Sequence, residues 1–186
     1  TREVPNPFIV IATQNPYGNA GTQSLPEAQM DRFMIRVTMG YPSVEDEVSI
    51  MKSKTGGLSN RVLSKNVINA QDFMAMRDIV DEVYVDDSIY EYVAKIVAKT
   101  RDSEDILQGI SPRGSISIIN MAKAEAFLRG HDYVLPSDIQ FVLNDTMAHR
   151  IILNRSLKRG HITEESVIDS ICRSVDVPKI GTRGIL

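Results

Sequence analysis

Three short segments carry polar side chains at spacings that suit phosphate chemistry. In Ile9-Val-Ile-Ala-Thr-Gln-Asn-Pro16 an apolar run ends at a polar tip. Open parallel α/β sheets bind ligands beyond the carboxyl ends of their strands. The Asn15 amide both donates and accepts, which suits holding a water against a phosphate, although Asn15-Pro16 equally well starts a turn. In Leu25-Pro-Glu-Ala-Gln-Met-Asp-Arg-Phe33, Arg32 closes a short helix just before an extended run. By itself it reads as a surface arginine, or as one paired with Asp31 or Asp46. In Ile110-Ser-Pro-Arg-Gly-Ser115, Ser111 is a helix cap and Pro112 a first-turn residue, which puts Arg113 at a helix N-terminus. Free N–H groups, the positive end of the dipole and a forked guanidinium would favour an anion there. The plainer alternative is a capped helix with a solvated arginine.

The elements that would position these residues fall into two textures. Residues 1–42 carry two strand signals, Phe8–Ala12 and Phe33–Thr38, separated by a Gly/Asn/Gln/Pro-rich loop and a two-turn helix opened by Pro26. Residues 43–186 read as helices almost throughout. Ser43-Val-Glu-Asp46 resembles a capping box, followed by Val44, Val48 and Met51 at helical spacing. Further helices are expected from about Ala70 (Phe73, Met76, Val80, Val83) and from Asp87 (Ile89, Val93, Ile96). Others should start at Pro112 (Ile116, Ile119, Ala122, Ala126), Pro136 (Ile139, Val142, Leu143, Met147) and Thr163 (Val167, Ile171). Each stripe is a core face in need of a neighbour, and together they make a small bundle.

Composition narrows the function classes. The chain has 186 residues, a net charge of −3 and no basic surplus, which argues against a nucleic-acid binder. Its single cysteine, Cys172, can form neither an internal disulfide nor a zinc cluster and reads as buried and inert, in keeping with a cytoplasmic protein. His131, His149 and His161 lack metal-ligand spacing, so no metal site is expected. No apolar stretch approaches a membrane span.

The three segments, taken together and in order, resemble the MoxR-type AAA+ ATPases. Thr13-Gln-Asn-Pro16, Leu25 to Phe33, Gly40-Tyr-Pro42, Thr100-Arg101 and Ser111-Pro-Arg113 carry the likeness, with Gly130-His-Asp-Tyr-Val-Leu-Pro-Ser-Asp138 and His149-Arg-Ile151. The resemblance implies an α/β remnant of an AAA+ P-loop domain (residues 1–42), followed by an all-α lid bundle (residues 43–186), predominantly helical. It implies that Asn15 is the sensor-1 residue positioning the attacking water. Arg32 would be the arginine finger offered to ATP on a neighbouring subunit, and Arg113 the sensor-2 arginine coupling the lid to the phosphates. It further implies ATP and Mg2+ as cofactors of the complete protein, a homo-oligomeric ring, and a protein client, with a von Willebrand factor A-type protein as partner.

Two departures qualify what the fragment does alone. The loop after Asn15 reads Tyr17-Gly-Asn-Ala20, and Gly21-Thr-Gln-Ser24 stands where the family has Gly-Thr-Tyr-Pro. No Gly-x-x-x-x-Gly-Lys-Ser/Thr loop occurs, and Ile79-Val-Asp-Glu82, which has the letters of a Walker B end, sits in a charged helical pattern. No tightly bound nucleotide and no hydrolysis are therefore expected of these residues alone, with a non-catalytic helical interaction module as the alternative. Without the middle strand of the family's sheet, residues 1–42 are expected to rearrange, pair with another copy or be poorly ordered while the helical part folds independently.

Overall fold

The computed structural model describes residues 3–14, 25–55, 67–154 and 162–179. Its helices are α1 (Glu27–Met30), α2 (Val44–Thr55), α3 (Ala70–Glu82), α4 (Asp87–Asp102), α5 (Pro112–Leu128), α6 (Pro136–Met147) and α7 (Glu164–Arg173). Strands β1 (Ile106–Gln108) and β2 (Ile152–Leu153) form a two-stranded antiparallel pair. The chain is predominantly helical, as expected.

Helix starts follow the capping chemistry of the sequence. The Ser43 hydroxyl accepts from Asp46 N at 3.1 Å and donates to the Asp46 carboxylate at 2.8 Å. Asn69 and Asp72 cap each other's backbone at the start of α3. Asp86 accepts from Ser88 N before α4, and Asp138 reaches back to Leu135 N before α6. Each such cap satisfies donors that the helix itself leaves unpaired, worth about 1 kcal/mol.

The core belongs to α4, α5, α6 and α7. Ile89, Tyr92, Val93, Ile96 and Val97 of α4 face Ile118, Ala122 and Ala126 of α5. Ile139, Val142, Leu143 and Met147 of α6 join them, with Val167, Ile168 and Ile171 of α7. Fully burying side chains of this size contributes about 1.5–3 kcal/mol each. The small Ala122 and Ala126 let α5 lie close to its neighbours. Val83 is buried, and the Tyr84–Tyr133 bridge ties the α3–α4 loop to the α5–α6 loop.

The structure corrects several expectations. Neither Phe8–Ala12 nor Phe33–Thr38 is a strand, because no described segment offers either one a ladder. The helix after Pro26 is a single turn, α1. The apolar stripe Val44, Val48 and Met51 of α2 is exposed and is not a core face. Ile116 of α5 is also exposed, and Ile118 takes the core position instead. Cys172 is half-buried, its Sγ 3.6 Å from the Tyr92 hydroxyl. Ile79-Val-Asp-Glu82, read as part of a charged helical pattern, is the last turn of α3, where Asp81 O accepts from Lys123 Nζ.

Candidate functional site

The β1–β2 pair sets the geometry of the site. β1 leads through Gly109 and Ile110 into α5, and β2 follows directly on the turn that ends α6. Pairing Ile106 with Leu153 therefore brings the 148–150 turn beside the N-terminus of α5. Thr100 and Arg101, at the end of α4, fix the approach to that N-terminus. The buried Thr100 hydroxyl accepts from Ile110 N at 3.0 Å, and Arg101 Nε donates to Ile110 O at 2.8 Å. Gly109 is needed there, because a Cβ would lie 2.7 Å from Thr100 O.

At the centre stands Arg150, whose side chain is 1% exposed. Its Nε donates to Asp31 Oδ1 at 3.1 Å. Its Nη2 donates to Phe33 O at 2.7 Å, Asp31 O at 3.4 Å and Ser117 Oγ at 3.0 Å. Its Nη1 donates to Met34 O at 3.1 Å and to Thr146 O. The five N–H donors of a planar guanidinium serve these six acceptors with one bond shared at Nη2, whereas an ammonium has only three donors. Burial pushes its pKa down, the bonded Asp31 carboxylate raises it, and the charge of Arg113 lowers it. Arginine starts high enough to remain charged throughout.

Gly114, on the first turn of α5, leaves room for this arginine. A Cβ there would lie 2.4 Å from Ile110 Cγ2 and 3.1 Å from Arg150 Cδ. Ser111 does not cap α5, contrary to the sequence expectation. Its hydroxyl donates to the Asp31 carboxylate at 3.1 and 3.2 Å instead, because that charged acceptor lies within reach. Among the described residues no side chain caps α5, whose Pro112 has no N–H and whose Gly114 N donates to Ser111 O at 2.9 Å.

The three sequence-derived residues fare differently. Asn15 lies outside the described residues. Arg32 is exposed, with no ion pair to its guanidinium among the described residues. Of the acids that could have neutralised it, Asp31 is engaged by Arg150 and Ser111, and Asp46 by Ser43. Arg113 is likewise exposed and free of ion pairs among the described residues. The segments carrying Arg32 and Arg113 meet at Arg150. On one side it binds the carbonyls flanking Arg32, and on the other it donates to Ser117 Oγ, which donates to Arg113 O at 3.1 Å. Exposed guanidiniums without an ion pair among the described residues are chemically fit to receive a phosphate.

Sequence reasoning missed Arg150 and Ser117, and it offered Asp31 to Arg32 where the structure pairs it with Arg150. The available signal was the His149-Arg-Ile151 run, which entered the reading only as part of a resemblance. His149 adds to the same clasp. Its Nε2 lies 3.1 Å from Phe33 O and must carry the proton to bond there. Burial lowers its pKa, only partly offset by the bond to Phe33, and Arg150 and Arg36 lower it further against a rise from Asp31. Nearby, Arg36 N donates to Asp145 O, and its side chain pairs with Glu165 at 3.3 Å.

Two family models match parts of this chain. Residues 1–35 match the model of the ATPase family associated with various cellular activities (AAA), and residues 98–171 match the AAA lid domain. The uncharacterized protein YeaC of Bacillus subtilis is 40% identical over 178 residues, covering 96% of this chain and 55% of that protein. Chaperone MoxR1 of Mycobacterium tuberculosis is 34% identical over 189 residues, covering 97% of this chain and 49% of its own length. A crystal structure from Cytophaga hutchinsonii, assigned as an ATPase, superposes with a TM-score of 0.82 at 35% identity. That match covers 94% of this chain and 56% of the other. The chain thus spans about half the length of the relatives it matches.

Proposed function

The chain belongs to the MoxR-type AAA+ ATPases, and on that premise we propose that it supplies the sensing and finger half of an ATP-driven machine that remodels or matures a protein partner. Residues 1–42 are then the C-terminal part of the nucleotide-binding domain, and residues 43–186 are the helical lid. Asn15 positions the attacking water. Arg113, on the lid, contacts the phosphates, and Arg32 reaches ATP on the neighbouring subunit of a ring. In the complete protein ATP with Mg2+ supplies the phosphoryl group and the metal's charge. These residues contribute positioning and charge stabilisation, which is most of what phosphoryl transfer asks of a protein. A von Willebrand factor A-type protein is the partner this family context suggests.

The observation that carries this reading is that Arg32 and Arg113 both stand exposed and without ion pairs among the described residues, on segments joined through Arg150. A guanidinium meant for a phosphate must be kept clear of carboxylates, and the nearby acids are engaged elsewhere. The 186 residues contain no phosphate loop, so alone they bind no nucleotide tightly and turn none over. In the natural full-length protein, Arg32→Ala should retain ATP affinity and lose hydrolysis. Turnover at the parent rate would remove Arg32 from the reaction.

A further inference from the structure

Resting on the assignment of Arg32 as the finger, we infer that Arg150 is its positioning residue, fastening it to the lid so that lid movement carries the finger with it. Arg150 does not touch Arg32's guanidinium. It binds the peptide carbonyls on both sides, Asp31 O before it and Phe33 O and Met34 O after it, and it pairs with the Asp31 side chain. Those bonds fix where the Arg32 backbone sits while leaving its side chain free in solvent. The same guanidinium is anchored to the lid, by Thr146 O at the end of α6 and by Ser117 Oγ in α5. Ser117 in turn holds the carbonyl of Arg113, and Ser111, two residues before Arg113, holds the Asp31 carboxylate.

A lid that shifts when Arg113 meets a phosphate therefore displaces the base of Arg32. The linkage runs through bonds between residues far apart in sequence: Arg150 is separated from Asp31 by 119 positions, and from Phe33 by 117. An error of 1 Å in the placement of a catalytic group can cost about 100-fold in rate.

The test is a double-variant comparison in the natural full-length protein. ATP hydrolysis is followed by single turnover with radiolabelled ATP, so that slow rates stay measurable, alongside steady-state kcat and KM and the fraction assembled. Arg150→Lys keeps the charge facing Asp31 but cannot fork among the carbonyls. It should lower kcat about 10- to 100-fold with KM for ATP nearly unchanged, because the misplaced group acts in the transition state. Arg32→Ala should lower kcat on the order of 1,000-fold or more. The double variant should be no slower than Arg32→Ala alone, since a positioning residue has nothing left to position. If Arg150→Lys does not fold, Asp31→Asn takes its place with the same expectations.

A double variant slower than Arg32→Ala by the whole Arg150→Lys factor would overturn the positioning role while leaving the finger intact. Unchanged kcat in Arg150→Lys would overturn it as well. Parent-level turnover in Arg32→Ala would remove the finger assignment, and this inference with it.

Discussion

Replacing Asp31 by asparagine in the 186-residue chain isolates the ion pair at the centre of the site. The shape is nearly kept, and one oxygen remains to accept from Ser111. What changes is that Arg150, 1% exposed, loses its only carboxylate partner among the described residues, while Asp31 itself is 28% exposed. Leaving one partner of a buried pair uncompensated costs about 3–5 kcal/mol. The carbonyls of Phe33, Met34 and Thr146 still bind the guanidinium, which puts the cost near the lower end, at about 3 kcal/mol. For a chain of this size that is a fall in Tm of about 6–12 °C. Arg150→Met removes the charge from the other side while keeping an apolar stem in place. Circular dichroism at 222 nm during urea and thermal unfolding of the parent, both single variants and the double variant measures the coupling. The double variant should be no less stable than the worse single variant. Single effects that add within about 0.5 kcal/mol would refute the claim that these side chains act as a unit.

Two further outcomes follow from the same neighbourhood. The folded-state pKa of His149 is lowered by burial, and its Nδ1 is buried with no hydrogen-bond partner among the described residues. The unfolded chain, with a histidine pKa of about 6.5, therefore binds the proton first, so stability is full above that value and falls as pH drops through it. His149→Gln, which can still donate to Phe33 O, should flatten the stability profile between pH 7 and 5, and an unchanged profile would show that another group causes it. Gly114→Ala forces a Cβ against Ile110 and Arg150 and should lower stability by about 1–3 kcal/mol in urea unfolding. A neutral result would mean that α5 has room to shift away from Arg150.

Helix starts were legible because their signals are local: Ser43, Asp87, Pro112, Pro136 and Thr163 all sit where a helix begins. The core faces of α4, α6 and α7 were legible because each has one apolar stripe. α5 was harder, since Ile116, Ile118 and Ile119 offer two phases and only burial against α4 and α6 selects Ile118. β1 and β2 have three and two residues, too short for any period to register. Arg150 was invisible for a different reason. Arginines are usually exposed, and this one is buried by acceptors at positions 31, 33, 34, 117 and 146 that only the tertiary fold assembles. Arg32 and Arg113 were picked out by family likeness, and their common connection through Arg150 came only from the structure.

The proposed function requires Arg32 to serve a nucleotide bound by another copy of the chain. Complementation between two inactive full-length variants tests this most directly. One carries Arg32→Ala, and the other lacks the lysine of its phosphate loop but retains Arg32. Mixed in one assembly, the second should lend its finger to ATP bound by the first, and hydrolysis should reappear with a maximum at intermediate ratios. Mixtures that stay inactive at every ratio, with co-assembly verified, would contradict it.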